Sequence, residues 1–237
     1  MQLTNELISM AAMNQKSAGH KRGGMASKAD KHVREKLLDA AVHLFSEQGV
    51  AGTTIAEIAS RAGVTSAMVH YYFKTKDQLL DAVVEEKLIG GFLAFITGGM
   101  ENSDDPFELT KGMVRRVVQA SDLMPWLPPL WIREVVSEGG SLREKLIRRV
   151  NLEKQEHFKA CIAAGQKKGL VNPDIHPQLL AVSVVGLTML PLSVARSWER
   201  IPIIGRLTKK ELEHHIVALL MHGLSVPGRT KAVGRKK

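Results

Sequence analysis

The chain has 237 residues, of which 44% are hydrophobic, 24% charged and only 5% aromatic. This length suffices for one or two domains with their own hydrophobic core. The scarcity of aromatic and β-branched runs favours helices over a β-sandwich or barrel. The single cysteine, Cys161, excludes an internal disulfide framework and a multi-cysteine zinc site. Its apolar helical surroundings predict a small buried side chain rather than a redox-sensing thiol.

The net charge of +9 comes mostly from the two ends of the chain. Basic residues outnumber acidic ones by three in residues 1–28 and by five in residues 225–237. We interpret residues 1–27 and 225–237 as disordered basic arms, with Met25 as an alternative start. Because the rest is nearly neutral, charge alone does not identify a DNA-binding surface, and that case needs a motif.

The longest apolar stretch, Ile175–Ala195, bears on membrane insertion. It is interrupted by His176, Pro177, Gln178 and Pro191, and a bilayer span needs roughly 18–20 consecutive apolar residues. We therefore predict a buried helix here. The N-terminus shows no pattern of a secretory signal, so a cytoplasmic location is expected.

Capping patterns predict about nine helices and no strand. The first begins at Ser27 or Asp30 and ends at Gly49. Thr54-Ile-Ala-Glu57 and Thr75-Lys-Asp-Gln78 are capping boxes for the second and fourth helices, and Thr65 caps the third. The fourth runs to Phe95 or Ile96. The later helices are expected at Pro106–Asp122, Leu130–Ser137, Ser141–Gly169, Pro177–Arg200 and Thr208–Gly223.

The segment Thr53–Leu80 has the pattern of a helix-turn-helix. Two short helices are separated by Ala62-Gly63-Val64, where glycine permits a sharp turn. The free face of the second helix can then enter a major groove about 12 Å wide. The apolar residues expected to hold the two helices together are Ile55, Ile58, Ala59, Val64, Val69 and Met68.

This region resembles the TetR/AcrR-like family of transcriptional regulators over about residues 30–85. The matching stretches are LFSEQGVAGTTIAEIASRAGV, TSAMVHYYF and KTKDQLLDAV. The resemblance implies an all-α protein with a three-helix helix-turn-helix DNA-binding domain at 28–75. A larger helical ligand-binding and dimerisation domain would follow at 76–224.

The resemblance also implies which side chains contact DNA. Thr54 or its neighbour Thr53 would cap the second helix and contact a phosphate. Tyr72 and Lys76 would contact the backbone, and Phe73 would be core. His70 stands where many members have tyrosine, and at most one of Tyr71 and Tyr72 can be fully buried. The candidate set is Thr53, Thr54, Thr65, Ser66, Ala67, His70, Tyr71, Tyr72 and Lys76, of which Ser66 and Ala67 are expected to set sequence preference.

The last two helices carry enough apolar residues for a homodimer interface, and the resemblance implies a four-helix bundle between subunits. Burial within one subunit is the alternative. The large apolar residues available to line an effector pocket are Phe92, Phe95, Met113, Trp126, Trp131, Phe158, Met189 and Trp198, although each could equally be core. Arg115, Arg116, Arg133 or Arg196 could pair with a ligand carboxylate.

The resemblance implies a repressor that binds a palindromic operator and is released by a small-molecule effector. Two other functions are the alternatives. Glu211 and His215 lie one helical turn apart, with His214 adjacent, which could suggest a metal site in an enzyme. The spacing is weak, no third ligand is evident, and the box Thr208–Glu211 explains the glutamate as a cap. No catalytic motif is present, and no cofactor is expected. The second is a helical DNA-binding or protein-interaction module that uses its basic tails without sequence preference.

Overall fold

A computed structural model describes residues 28–100, 103–149, 153–198 and 208–226. Within these ranges the regular secondary structure is helical apart from one isolated β-bridge, between Val171 and Ser225. The all-α prediction is therefore confirmed. The arm at 1–27, with Met25, and the tail beyond residue 226 lie outside the described residues.

The described residues form ten helices in chain order. Helix α4 runs on without a break as a π-helical stretch, Val83–Leu93, and a last α-helical turn, Ala94–Thr97. Helix α6 likewise continues as the π-helical stretch Trp131–Val136. The bounds are α1 Lys28–Gln48, α2 Ile55–Ala62, α3 Ser66–Phe73, α4 Lys76–Ala82, α5 Pro106–Leu123, α6 Leu127–Leu130, α7 Arg143–Arg149, α8 Glu153–Lys167, α9 Pro177–Trp198 and α10 Lys209–Leu224.

The predicted helix starts at threonines are confirmed. Thr54 and Thr208 each form a full capping box, in which the hydroxyl accepts the N–H three residues on and the glutamate there accepts the threonine N–H. Thr65 and Thr75 accept the N–H groups of Met68 and Gln78. Because each cap satisfies a donor that the helix leaves unpaired, it fixes where the helix begins.

Two predicted boundaries in the middle of the chain are wrong. Helix α6 begins at Leu127 rather than Leu130, since prolines are tolerated in the first turn, where N–H groups have no helical acceptor. The predicted helix from Ser141 to Gly169 is divided into α7 and α8, with residues 150–152 outside the described ranges. Helix α7 starts at Arg143, and the Ser141 N–H donates to the Glu134 carboxylate instead.

The prediction that the apolar stretch Ile175–Ala195 forms a buried helix is wrong, because much of helix α9 is exposed in the single chain. Its apolar stretch Pro177–Ala195 has the length and composition of a membrane-spanning helix, as core and interface helices also do. Only 22% of that window is buried within the chain. The exposed apolar side chains are Leu179, Val182, Leu187 and Leu190.

The chain divides into two compact units, 1–95 with 123–150, and 96–122 with 151–237. The first unit contains α1 to α4, most of the helical continuation of α4, and α6 and α7. Its core includes the apolar face of α1 from Leu37 to Phe45. Helix α4 thus belongs to the same compact unit as the helix-turn-helix. The boundary at residue 75 between a DNA-binding and a ligand-binding domain stays a prediction.

The second unit contains nearly all of α5 together with α8, α9 and α10. Helix α9 packs against α8 and α10. The prediction for Cys161 is confirmed, because its side chain is buried and Sγ donates to the Asp104 carbonyl over 3.0 Å. Burial raises the pKa of this thiol, which keeps it protonated.

Candidate nucleic-acid interface

Helices α2 and α3 are joined by the tight turn that the sequence predicts. Gly63 has a φ of +71°, a conformation that side chains disfavour. Its N–H donates to the Ser60 carbonyl over 3.1 Å, and the Val64 N–H donates to the Ala59 carbonyl over 2.9 Å. These bonds end α2 and redirect the chain into α3 within a few residues, which is helix-turn-helix geometry.

The inner face of α3 is held against its neighbours by apolar packing and by a cation–π contact. Val69 and Phe73 are buried. The Arg34 guanidinium from α1 lies over the Phe73 ring, 5.1 Å from its centroid. Arg34 also makes a bidentate pair with Glu86, with both N–O distances 2.6 Å. Charge and apolar packing together therefore fix the orientation of α3.

The outer face of α3 is accessible. Ser66, Ala67 and His70 are exposed, and Tyr71 is 76% exposed. Met68, predicted to complete the apolar face towards α2, is 36% exposed instead. The prediction that this segment is an outward-facing helix is confirmed, while the placing of Met68 in the core is wrong.

The two adjacent tyrosines have different surroundings, as the helical period requires. Tyr71 points outward, with its ring edge-on to Tyr72 at a centroid distance of 5.1 Å. Tyr72 is half-buried, and its hydroxyl donates to the Asp30 carboxylate over 3.2 Å. Desolvation and this hydrogen bond raise the pKa of Tyr72, so it remains a donor at neutral pH. Its contact with the DNA backbone stays a prediction.

Thr53 has to be removed from the candidate DNA-contacting residues. Its side chain is 1% exposed, and its hydroxyl donates to the Gly49 carbonyl over 2.7 Å. A phosphate cannot reach a hydroxyl in that position. Thr54 is the N-cap residue of α2 and is exposed, so the predicted phosphate contact passes to Thr54 alone.

Lys76 has a structural role that its place in the sequence does not reveal. Its ammonium group donates to the carbonyls of Val50 and Thr53, both over 2.6 Å. These bonds join the first turn of α4 to the loop between α1 and α2. An ammonium group has three N–H donors, so two carbonyls leave one donor for the phosphate contact that we predict.

We expect Lys76→Met to lower both stability and binding to every DNA sequence. The variant keeps the aliphatic stem but leaves two carbonyls without their cationic donor, which costs roughly 1–3 kcal/mol in the free energy of unfolding. Loss of one phosphate contact should make the slope of the logarithm of the binding constant against the logarithm of the salt concentration less steep by about one. Chemical denaturation and salt-dependent DNA binding measure the two effects.

Lys36→Met is the matched control, because Lys36 is an exposed lysine on α1 and the substitution removes the same charge. Unchanged stability of the Lys76 variant relative to this control would contradict the role of Lys76 in holding the loop.

The predicted effector-pocket residues divide between the two units. In the first unit Phe92 and Trp126 are buried, Phe95 and Trp131 are half-buried, and the Phe92 and Trp131 rings meet edge-on at 5.3 Å. In the second unit Met113, Phe158 and Met189 are buried. The side chain of Trp198 lies outside the described residues. These contacts fill space within each unit, and the pocket stays a prediction.

Three of the four arginines proposed for a ligand carboxylate have partners within their own unit. Arg115 lies 3.5 Å from the Glu213 carboxylate, and Arg116 donates to the Ile96 carbonyl over 2.9 Å. Arg133 donates to the Glu47 carbonyl over 3.1 Å. The side chain of Arg196 lies outside the described residues, so a ligand role stays a prediction for all four.

An open groove of about 650 Å³ in the first unit is lined by charged and polar residues rather than by the predicted apolar ones. Across it Lys145 lies 2.7 Å from Asp77 and 2.8 Å from Asp81. Arg149 also pairs with Asp81, and Lys145 and Arg149 lower the pKa of that carboxyl. The cluster joins α7 to α4.

The glutamate of the candidate metal site is a helix cap. The Glu211 carboxylate accepts from the N–H and the hydroxyl of Thr208, over 2.8 and 2.7 Å, and these bonds lower the pKa of Glu211. His214 and His215 are exposed. Among the described residues, no group of three or more His, Cys, Asp or Glu side chains is placed to hold a metal ion.

The helix-turn-helix lies in the part of the chain that is similar in sequence to known proteins. Residues 37–83 match the sequence profile of bacterial regulatory proteins of the tetR family. Over 99 residues the chain is 32% identical to the HTH-type transcriptional regulator BetI of Rhizobium meliloti, which covers 42% of the chain and 48% of BetI. Over 149 residues it is 26% identical to the HTH-type transcriptional repressor KstR2 of Rhodococcus jostii, covering 62% of the chain and 71% of KstR2. The match thus spans about half the length of BetI.

Solved structures extend the likeness in fold to most of the chain. The crystal structure of AibR in complex with isovaleryl coenzyme A and operator DNA superposes with a TM-score of 0.60 at 19% identity. The superposition covers 79% of this chain and 97% of AibR. The profile match contains α2, the turn, the outward-facing helix α3 and α4. Residues 37–83 are therefore similar to bacterial regulatory proteins of the tetR family, and over most of the chain the likeness is one of fold.

Proposed function

We propose that this protein is a sequence-specific repressor that binds operator DNA with α3 in the major groove. The observation that carries the proposal is the accessible face of α3, which bears Ser66, Ala67, His70 and Tyr71. Its opposite face is fixed by Val69 and Phe73. A helix held in this way presents its first residues to base edges. Thr54 and Lys76 would position the protein on phosphates, which carry no sequence information.

The proposed active form is a homodimer. One recognition helix reads few base pairs, and two-fold pairing would place two such helices about 34 Å apart on one face of the DNA. The exposed leucines and valine of α9, together with Leu219 of α10, form an apolar surface that a second copy can cover. We expect the operator to be an inverted repeat, because it mirrors the two-fold axis.

We further propose that a small-molecule effector releases the protein from its operator. KstR2 and NicS are named as transcriptional repressors, and the similar AibR structure contains both a coenzyme A thioester and operator DNA. The helix that begins as α4 and continues to Thr97 carries the chain from the first unit to the second between Phe95 and Ile96. An effector that prefers one conformation of α4 would change the population able to bind DNA. We place the protein in the cytoplasm, where the DNA is.

The alternative of an unspecific module that binds through its tails gains no support from the relatives, which are regulators. Selection from a random pool of duplex DNA distinguishes the two functions. The full chain should enrich an inverted repeat. A chain lacking residues 1–27 and 227–237 should enrich the same repeat, with lower affinity and a weaker salt dependence. Enrichment of no sequence, or loss of all selectivity with the tails, would contradict the proposal.

A further inference from the structure

The recognition helix lacks the side chains that usually distinguish bases. From Ser66 to Phe73, α3 contains no Arg, Lys, Asn, Gln, Asp or Glu. Arg and Lys are the usual readers of guanine, Asn and Gln of adenine, and Asp and Glu of cytosine. If α3 reads bases, as the proposed function requires, it must do so with single hydrogen bonds and with apolar contacts.

The most outward position in the first turn of α3 is Ala67. Val69 and Phe73 are four residues apart and define the buried face. Ala67 and Tyr71 are also four residues apart and lie on the opposite face, and both are exposed. Because its side chain is a single methyl group, Ala67 lets the helix backbone come close to the floor of the groove. Met68, beside it, adds a flexible apolar side chain at the surface.

The polar neighbours of Ala67 do not select one base by themselves. A serine hydroxyl both donates and accepts, so Ser66 can contact several base edges. The Nδ1 atom of His70 lies 3.2 Å from the Lys74 carbonyl. A carbonyl only accepts, so Nδ1 is engaged within the helix, and Nε2 is the ring nitrogen that is left to contact a base.

We propose that Ala67, with Met68 at its side, reads the 5-methyl group of a thymine in each operator half-site. That methyl is the apolar group by which a base pair is recognised in the major groove. An exposed alanine in the first turn, flanked by an exposed methionine, is complementary to it in size and polarity. Contact between methyl groups then supplies specificity that charged and amide side chains supply on other recognition helices.

Removal of one methyl group from the DNA tests this directly. In the selected operator each thymine is replaced in turn by deoxyuridine, which keeps the base-pairing edge and the O4 acceptor. We expect one position in each half-site to bind more weakly by about three- to tenfold, the order expected for one buried methyl group. The other thymines should tolerate the change.

Two variants identify the protein side of the contact. Ala67→Gly and Met68→Ala should reduce the ratio of affinities for the thymine and deoxyuridine operators towards one. The ratio is independent of any loss of helix stability, which affects both operators equally. Ala56→Gly is the matched control, because Ala56 is an exposed alanine on α2, and it should leave the ratio unchanged.

The outcomes separate this inference from the proposed function. Selective binding to an operator in which every deoxyuridine replacement is neutral overturns the thymine contact and leaves the repressor intact. A methyl effect that persists undiminished in both α3 variants also overturns it, because another residue must then read the methyl. Absence of any selected sequence overturns the proposed function itself.

Discussion

Leu190→Glu is expected to convert the proposed dimer to a monomer and to lower operator affinity by at least about 100-fold, equivalent to roughly 3 kcal/mol. Leu190 is 55% exposed in the single chain and lies on the same side of α9 as Leu179 and Val182. If a second copy covers this face, the variant places two carboxylates in an apolar interface without partners, which is strongly unfavourable. A monomer binds one half-site and loses the contribution of the other.

Sedimentation and gel-shift titration measure the two losses separately. Gln178→Glu is the control, since Gln178 is an exposed polar residue of α9 and acquires the same charge. Thermal unfolding of the monomeric variant should show an intact fold, because Leu190 is not needed to fill the interior of its own chain. A variant that remains dimeric with full operator affinity would show that this face is not the interface.

Local features of this fold could be predicted from the sequence because their partners are close in the chain. A capping box joins residues three apart, so Thr54 with Glu57 and Thr208 with Glu211 were recognisable as helix starts. The sharp turn at Gly63 depends only on the backbone freedom of one residue. Once the cap at Thr65 and the turn were placed, the helical period indicated which side of α3 faces outward.

Contacts between distant residues could not be predicted in this way. Tyr72 and Asp30 are 42 positions apart, and Glu134 and Val50 are 84 apart. In neither pair does the sequence around one residue identify the other as its partner. Lys76 matched a phosphate-binding position by resemblance, while its bonds to two carbonyls depend on how the preceding loop folds back.

Helix α9 shows a different limit. Its composition predicts that apolar side chains are removed from water, and the period of 3.6 residues shows that they cover most sides of the helix. Neither the composition nor the period shows whether these side chains are covered by the same chain or by a second copy. The structure of the single chain leaves one side exposed, which is why the burial prediction failed and the dimer proposal gained support.

Glu134→Ala is expected to lower the free energy of unfolding by about 3 kcal/mol. Glu134 is 6% exposed, and its two oxygens accept the N–H groups of Val50, over 2.9 Å, and Ser141, over 3.1 Å. Removing the carboxylate leaves two backbone donors without an acceptor, and each costs roughly 1–3 kcal/mol when buried. Glu134→Gln should be intermediate, because its amide has one accepting oxygen for two donors.

The surroundings of Glu134 leave little room for rearrangement. Gly49 has a φ of +81°, and a Cβ built there would lie 3.2 Å from the Glu134 carboxylate. The neighbouring Arg133 donates to the Glu47 carbonyl at the end of α1. Arg133 and Glu134 together therefore hold the turn that leads from α1 into α2.

The same substitution should weaken operator binding even where the variant is fully folded. The turn that Glu134 holds includes Val50, whose carbonyl also accepts from Lys76, so its loss should loosen the orientation of α2 and α3. Denaturation curves give the stability, and titration of the selected operator well below the unfolding midpoint gives the affinity. Glu138→Ala, at an exposed glutamate after the same helix, should change neither. If Glu134→Ala lowers stability but binds the operator normally when folded, the carboxylate stabilises the unit without positioning the recognition helix.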